Sequence, residues 1–349
     1  MKFVKNINMR YREKLSSVSF FHVKRFIKTI SRFPIRSIRN RVVKVMINLT
    51  YRCECDCDYC WCGSYEKKPE QELSSLELKE IINHIVAYPS LLVLISFIGG
   101  EPLLREDIYD LIRHAAKKGL FVEIETNGIS LTEPNVSRLK KAGLNHMFVK
   151  IEGANSDKHD SLSKVKGCFE KAVRGIKLCH KKGISTSIFT NALKEKVQSG
   201  ELPKIIRLAK KLKVTSMRII YPTLSGRWIA AEGQRLSSEE EEAVSFLLEP
   251  GFVYLESTRS YRKGARRFCA ALEKIFFHIS CYGEVQLCPF VPISFGNIRQ
   301  KSLDKIVSTM IEHPIFYENY NGCLMNNIDF RRKYILPAHQ EHSYRNITV

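Results

Sequence analysis

Between residues 42 and 220 the chain alternates short apolar runs with longer stretches in which apolar residues recur every three or four positions. The apolar runs predict six buried strands, at about 42–49, 91–98, 121–125, 146–151, 185–190 and 216–220. The stretches between them predict helices at about 76–85, 108–118, 133–142, 169–181 and 204–212. A helix between successive strands implies a crossover connection, so we expect parallel strands. The pattern predicts an α/β fold, a partial (β/α)6 TIM-like barrel with a lateral opening.

A different pattern follows in the C-terminal part of the chain. Residues 276–280 and 285–288 flank Tyr282-Gly283-Glu284, which predicts a β-hairpin with glycine in its turn. A helical pattern follows at 303–311, so we expect a small hairpin-and-helix domain after the barrel. The predicted division is a basic amphipathic segment at 1–41, the barrel at 42–235, a helical linker at 236–265, the small domain at 266–323 and a tail at 324–349.

Polar or glycine-containing clusters follow the first four predicted strands. They are Cys53–Cys62, Gly99–Pro102, Thr126–Gly128 and Glu152–Gly153. In a barrel of βα units the carboxyl ends of the strands form one face, and that face carries the active site. Four clusters on one rim therefore predict a functional site there.

Five of the eleven cysteines fall within Cys53–Cys62. Only Cys53, Cys57 and Cys60 give the spacing Cys-x3-Cys-x2-Cys, which can direct three thiolates to three irons of one cubane and leave the fourth iron open. A structural zinc site usually needs two Cys/His pairs, and the chain has a single Cys-x2-Cys. No secretory signal precedes the run, which argues against disulfides. Reactive surface thiols are the remaining alternative, and the spacing favours an iron–sulfur site.

The net charge of +20 is unevenly distributed. Residues 1–44 contain thirteen Lys or Arg and one acid, Glu13, and so carry +12, which leaves +8 for the other 305 residues. This concentration weakens a nucleic-acid-binding interpretation. Apolar residues at helical spacing predict a basic amphipathic helix at 18–33, which contacts an anionic membrane or a partner, or else covers the rest of the protein. Without a secretion signal or a membrane-length apolar run, we expect a cytoplasmic protein, at most peripheral to the membrane.

Taken together, these motifs make residues 42–323 resemble the radical S-adenosylmethionine (SAM) enzymes. The resemblance implies that Cys53, Cys57 and Cys60 hold a [4Fe–4S] cluster whose open iron binds SAM. The SAM contacts that it implies are Tyr59 at the adenine, Gly99, Gly100, Glu101 and Pro102 around the methionine, and Asn127 and Glu152 at the ribose. The Glu101 carboxylate would accept a charge-assisted hydrogen bond from the methionine ammonium.

The chain departs from the family pattern after the fourth strand. Lys150 occupies a position that is often serine, and it either contacts the SAM carboxylate or points elsewhere. His159 and Asp160 match the family, but Ser163 replaces an arginine that often follows them. We favour a helix-start or packing role for His159 and Asp160. Ser225-Gly226-Arg227 is similar to a family segment near the last strand, or else Arg227 is an ordinary surface arginine, and we assign it no site role.

A second group of cysteines accompanies the predicted hairpin. The spacing Cys269-x13-Gly283-x4-Cys288 resembles the auxiliary-cluster extension called twitch or SPASM. This implies a second [4Fe–4S] cluster, with Cys269, Cys288 and Cys323 as ligands and Cys281 as the fourth. Only Cys323 follows the hairpin, which favours the single auxiliary cluster of the twitch arrangement. If Cys281 packs elsewhere, one iron is open to substrate; the alternative is four unpaired core cysteines.

The resemblance implies that the reduced first cluster cleaves SAM to a 5′-deoxyadenosyl radical, which abstracts a substrate hydrogen. An auxiliary cluster that accepts an electron makes oxidative modification of a peptide or protein side chain the first expectation. Dehydrogenation of a carbohydrate-like small molecule is the alternative, and a non-catalytic iron–sulfur protein or a nucleic-acid modifying enzyme is less favoured. The expected partners are the substrate, a peptide or small molecule, and a flavodoxin- or ferredoxin-type electron donor. No acid–base pair stands out as catalytic.

Overall fold

The structure is a computed structural model that describes residues 42, 44–64, 71–87, 94–256, 269–318, 320 and 322–339. The predicted basic segment at 1–41, with its amphipathic helix at 18–33, lies outside the described residues. Residues 257–265 of the predicted linker and 340–349 of the predicted tail also lie outside them.

In the described part of the chain, ten strands form one sheet in the order β10-β9-β8-β1-β2-β3-β4-β5-β6-β7. The strands are β1 Lys44–Asn48, β2 Leu94–Ile98, β3 Phe121–Thr126, β4 His146–Lys150, β5 Ser185–Asn191, β6 Met217–Ile220, β7 Val253–Leu255, β8 Phe276–Ile279, β9 Glu284–Gln286 and β10 Ser294–Asn297. Neighbours from β8 through β1 to β7 are parallel, while β9 pairs antiparallel with both β8 and β10. This confirms the predicted α/β fold with a partial, parallel barrel.

Helices fill the connections between the parallel strands, and a further helix follows β10. They are α1 Ser75–Ala87, α2 Ile108–Lys117, α3 Glu133–Ala142, α4 Ser156–Ser163, α5 Cys168–Lys181, α6 Lys194–Gln198, α7 Glu201–Lys211, α8 Ser238–Ser245 and α9 Leu303–Glu312. Short helical turns follow at Ile328–Phe330, Arg331–Ile335 and Leu336–His339. Each helix predicted between residues 76 and 311 from apolar periodicity is confirmed, although its ends shift by up to three residues. None of the described helices combines the length and the apolar content needed to cross a membrane.

The ends of α3 show how local sequence sets these boundaries. The Thr132 hydroxyl accepts a hydrogen bond from Asn135 N, which satisfies a free amide at the helix start. Gly143 ends the helix in a left-handed conformation, with φ of 96°, which glycine adopts without steric cost. Buried residues recur at intervals of three, so one side of the helix packs on the protein; they are Val136, Leu139 and Ala142.

The C-terminal hairpin continues the barrel sheet. β8 pairs in parallel with β1, with Phe277 opposite Val45 and Ile279 opposite Ile47. Phe277 is 1% exposed and belongs to the same apolar core as β1. β7, which the sequence did not predict, extends the other end of the sheet beside β6. Both pairings join segments that are far apart in sequence, so local periodicity could not reveal them.

We expect Phe277→Ala to lower the free energy of unfolding by about 3–5 kcal/mol, because it removes a fully buried ring between the hairpin and β1. Urea unfolding followed by circular dichroism measures the change. Phe246→Ala is the matched control: Phe246 is 66% exposed, and the change should stay below about 0.5 kcal/mol. A loss below about 1 kcal/mol for Phe277→Ala would contradict the packing of the hairpin on the barrel.

Candidate active site

The loop that carries the cysteines is fixed to the loop after β2 by main-chain contacts. Gly100 N donates to Thr50 O at 2.7 Å, and Glu101 N donates to Arg52 O at 2.8 Å. A Cβ on Gly99 would lie 2.3 Å from the Asn48 side-chain oxygen, and one on Gly100 would lie 2.2 Å from Arg52 O. Gly99 also has φ of +151°, which disfavours other residues. The two glycines are therefore required for the close approach of these loops.

Cys53, Cys57 and Cys60 line one cavity at the carboxyl ends of the strands. Hydrogen bonding from Cys55 lowers the pKa of Cys53 and brings that of Cys57 to about 5. Hydrogen bonding from Cys62 lowers the pKa of Cys60 to about 6. All three motif cysteines are thus stabilised as thiolates, the form that binds iron.

The two extra cysteines of the run support the three motif cysteines. Cys62 is 2% exposed, and its sulfur lies 3.5 Å from that of Cys60 and 3.7 Å from Gly99 O. Cys55 interacts with Cys53, Cys57 and Cys168, and these contacts raise its own pKa. A neutral thiol that hydrogen-bonds to a thiolate favours the charged state of its partner. The alternation Cys-x-Cys in the sequence is the local signal for this arrangement.

The donor set fits a cubane better than a single ion. Among the described residues, no three His, Cys, Asp or Glu side chains are grouped as ligands of one metal ion. The thiolates of a cubane bind different irons, so they need not converge on one point. Three thiolates with lowered pKa on a cavity wall are therefore compatible with a [4Fe–4S] cluster, held by Cys53, Cys57 and Cys60.

Glu101 is a fully buried carboxylate behind the cavity wall. It accepts hydrogen bonds from Leu103 N at 3.0 Å, Thr126 Oγ1 at 2.8 Å and Asn127 N at 2.7 Å. Burial raises its pKa to about 8, and the structure gives it no ion pair with any described residue. A buried carboxylate without a cation favours binding of an ammonium group, because a counter-charge offsets its desolvation. This fits the predicted contact with the methionine ammonium.

The other predicted SAM contacts divide between the cavity and its surroundings. Tyr59 lines the cavity and packs edge-on against Trp228, with ring centroids 5.8 Å apart. Asn127 also lines it, and its Nδ2 donates to Glu54 Oε2 at 3.0 Å. Pro102 is buried at the start of a helical turn and does not line the cavity.

Glu152 lies beneath the cavity in a polar network. Its carboxylate accepts hydrogen bonds from Thr190 Oγ1 at 3.0 Å and Asn191 Nδ2 at 2.6 Å, and it forms an ion pair with Lys196. Although burial favours the protonated form, Lys196 and Lys150 hold the pKa of Glu152 at about 2. Because Lys196 already neutralises Glu152 within this network, the geometry supports a structural role more than the predicted ribose contact.

Lys150 points at the first cysteine group. Its Nζ lies 3.2 Å from the sulfur of Cys57 and 4.9 Å from the centroid of the Tyr59 ring. Burial favours the neutral amine, but the surrounding acidic groups, Tyr59, Cys57 and Glu152, raise the pKa of Lys150 above its usual value. An ammonium group therefore lies against one of the predicted iron ligands.

His159 and Asp160 have the packing role that we favoured. The Asp160 carboxylate accepts from Gly167 N at 2.6 Å and Phe169 N at 2.9 Å, which fixes the start of α5. His159 Nδ1 accepts from Glu152 N at 3.0 Å, and its Nε2 lies 3.3 Å from the Cys168 sulfur. These contacts confirm the structural interpretation.

Arg227, to which the sequence analysis assigned no site role, contacts the cysteine loop. Its guanidinium donates to Cys57 O at 2.9 Å and forms an ion pair with Asp56. Arg227 N donates to Cys60 O at 3.2 Å. The arginine thereby joins the loop after β6 to the backbone between the motif cysteines. Sequence spacing could not reveal this contact, because the two segments are far apart along the chain.

Three cysteines of the second group share the cavity with the first group. Cys269, Cys288 and Cys323 all line it. Burial, followed by repulsion from Cys269, raises the pKa of Cys288 and brings that of Cys323 to about 12. Cys281 lies elsewhere, in a buried cluster with Tyr51 and Cys62, and does not line the cavity. The structure therefore brings together three of the four predicted auxiliary ligands.

Aromatic side chains connect the two groups of cysteines. Trp61, next to Cys60, packs edge-on against Phe290, with ring centroids 6.0 Å apart. Phe290 follows Cys288 by two residues, and both rings line the cavity. The two cysteine-bearing loops are thus in direct contact.

The cavity also contains a charged cluster that the sequence analysis did not identify. Arg218 on β6 is 4% exposed and lies 2.9 Å from the Glu125 carboxylate and 3.1 Å from that of Glu256. It also lies over the rings of Phe148 and Phe189. An arginine within a predicted buried strand was an available signal, since a buried charge usually has a partner.

Two family models match the chain. The radical SAM superfamily model matches residues 47–218, and the model of an iron–sulfur cluster-binding domain, SPASM, matches residues 269–325.

Individual proteins are also similar to the chain. An AdoMet-dependent heme synthase from Methanosarcina barkeri is 28% identical over 284 residues, covering 74% of this chain and 80% of the relative. A PqqA peptide cyclase from Rhizobium meliloti is 25% identical over 276 residues, covering 75% and 72%. The crystal structure of Streptococcus suis SuiB bound to S-adenosylmethionine aligns with a TM-score of 0.61 and 14% identity, covering 90% of this chain and 77% of SuiB. The SuiB alignment supports the fold.

We expect Glu101→Gln to weaken SAM binding by about ten- to hundredfold, because a charge-assisted hydrogen bond contributes about 1.5–3 kcal/mol. Equilibrium dialysis of labelled SAM against anaerobically reconstituted protein measures the affinity, and iron content serves as a separate check of the cluster. Glu133→Gln is the control, since the Glu133 side chain is 59% exposed on α3. Unchanged affinity in Glu101→Gln would contradict the ammonium contact.

Proposed function

The chain belongs to the radical SAM superfamily, and from this premise we propose that it oxidises a side chain of a peptide or protein by abstracting a hydrogen atom. Its cofactors are a [4Fe–4S] cluster that binds SAM, SAM itself and additional iron–sulfur chemistry in the SPASM region. When bound, the first cluster and SAM supply a 5′-deoxyadenosyl radical.

The chain's own residues bind and orient these groups. Cys53, Cys57 and Cys60 would hold the first cluster, and the buried Glu101 carboxylate would offset the charge of the SAM ammonium. Tyr59 and Asn127 line the same cavity, where they can contact the rest of SAM. Apolar and aromatic side chains also line the cavity, among them Trp61, Trp228 and Phe290.

The observation that carries the proposal is that both cysteine groups face one cavity. A substrate in that cavity lies next to the SAM site on one side and next to Cys269, Cys288 and Cys323 on the other. Net oxidation needs a hydrogen-atom acceptor and an electron acceptor close to the same substrate, and this arrangement provides both. Because Cys281 packs against Tyr51 and Cys62, we propose three protein thiolates for the auxiliary cluster.

A peptide side chain is the substrate that we propose first. The similarity to a PqqA peptide cyclase supports it. Among the charged residues of the described cavity lining, two bases, Lys150 and Arg218, stand beside two acids, Glu125 and Glu256. This balance favours an uncharged side chain at the point of hydrogen abstraction, because an unpaired buried charge is costly.

A tetrapyrrole is the second candidate substrate. The similarity to an AdoMet-dependent heme synthase favours it, and the two identities, 28% and 25%, are too close to separate the candidates. The electron donor of flavodoxin or ferredoxin type and the membrane or partner contact of residues 18–33 stay predictions.

We expect reconstituted protein to contain about eight irons per chain, as two cubane clusters require. Cys57→Ala and Cys288→Ala should each reduce this to about four. Cys57→Ala should abolish SAM cleavage, whereas Cys288→Ala should still form 5′-deoxyadenosine but lose substrate oxidation by at least about tenfold. Cys179→Ala, at a buried thiol within α5, is the control and should retain all the iron. SAM cleavage by Cys57→Ala at the wild-type rate would refute the assignment of the first cluster.

Substrate class can be tested with deuterium. Where the neighbouring genes encode a short precursor peptide, we expect deuterium to move from that perdeuterated peptide into 5′-deoxyadenosine, and no transfer from a deuterated tetrapyrrole. Mass spectrometry of 5′-deoxyadenosine measures the transfer. Transfer from the tetrapyrrole alone would replace the first candidate with the second. SAM cleavage with no transfer from either would contradict both, while leaving the radical SAM assignment intact.

A further inference from the structure

Lys150 ends β4 with its ammonium group against a sulfur. The distance from Nζ to the Cys57 sulfur is 3.2 Å, within the range of an N–H···S hydrogen bond. The Lys150 side chain is 19% exposed, and Cys57 is 3% exposed. In such a buried position water screens the charge weakly, so the electrostatic effect on the sulfur is strong.

No described carboxylate forms a close ion pair with Lys150 alone. Lys150 Nζ forms an ion pair with Glu152 Oε1 at 4.0 Å. The Glu152 oxygens already accept hydrogen bonds from Thr190, Asn191 and Lys196. The contact of Lys150 Nζ with the Cys57 sulfur, at 3.2 Å, is shorter than its contact with Glu152.

This geometry has a consequence for an iron–sulfur cluster on Cys57. Reduction adds a negative charge to the cluster, and a nearby cation stabilises the reduced form more than the oxidised form. A hydrogen bond to the ligand sulfur acts in the same direction, and both are recognised determinants of cluster potential.

We propose that Lys150 is a positioning residue that acts through Cys57 to raise the reduction potential of the first cluster. The inference rests on the proposed ligand role of Cys57. It goes beyond the proposed function, because a residue outside the cysteine motif would help to set the reduction potential of the cluster. That potential governs the electron transfer that precedes SAM cleavage. The alternative role is purely structural, with Lys150 only holding the cysteine loop in place.

The test is an anaerobic redox titration followed by EPR, on full-length protein without SAM. The Cys288→Ala background removes the auxiliary cluster, so that one cluster remains to be titrated. Lys150→Gln and Lys150→Arg are compared with Lys164→Gln. Lys164 pairs with Asp58 beside the same loop, but its side chain is 42% exposed, so water screens its charge. Iron content is measured for every variant.

We expect Lys150→Gln to lower the ratio of reduced to oxidised cluster at least tenfold at a fixed potential, which corresponds to a shift of about 59 mV for one electron. Lys150→Arg and Lys164→Gln should each stay within threefold of the parent. A full complement of iron with an unchanged potential in Lys150→Gln would overturn the proposal.

Loss of the cluster is also decisive. If Lys150→Gln loses its iron and Lys150→Arg retains both iron and potential, the requirement for the cation is supported. If both variants lose the iron, Lys150 is structural and the proposal fails. Cys57→Ala in the same background tests the ligand assignment separately: a variant that keeps the remaining cluster would overturn the ligand role of Cys57 and the proposal with it.

Discussion

Two main-chain hydrogen bonds between the loops after β1 and β2 fix the geometry on which the site depends. Gly100 N to Thr50 O and Glu101 N to Arg52 O bring the cysteine loop against the Gly-Gly-Glu-Pro loop. Neither glycine can carry a side chain, because a Cβ would collide with the facing loop. The same contact places Glu101 behind the cavity that the motif cysteines line. The proposed binding of the cluster and of the SAM ammonium would therefore depend on one backbone junction.

Thiol, ammonium and guanidinium groups surround that junction and interact with the cysteine loop. Thiols of Cys55 and Cys62 stabilise the motif thiolates, and the Lys150 ammonium adds a cation at Cys57. Arg227, on the loop after β6, donates a hydrogen bond to the main chain of the same loop at Cys57 O. These contacts favour the thiolate form of the motif cysteines, which is the form that metal ligation requires.

Much of this could be predicted from sequence where the signal was local. Strand and helix order follows from periodicity, and the motif cysteines follow from spacing within one loop. The position of Cys281, the pairing of β8 with β1 and the ion pair of Glu152 with Lys196 depend on contacts between distant segments. No local pattern encodes those contacts, so they emerged only from the structure.

The central claim is that the cluster held by Cys53, Cys57 and Cys60 has one iron open to SAM in the shared cavity. EPR of the reduced Cys288→Ala protein, before and after addition of SAM labelled with 15N and 17O, tests it most directly. The account predicts a changed cluster signal with hyperfine coupling to the amino nitrogen and carboxylate oxygen of SAM. A cluster signal that SAM leaves unchanged, or zinc in place of iron at these cysteines, would contradict it.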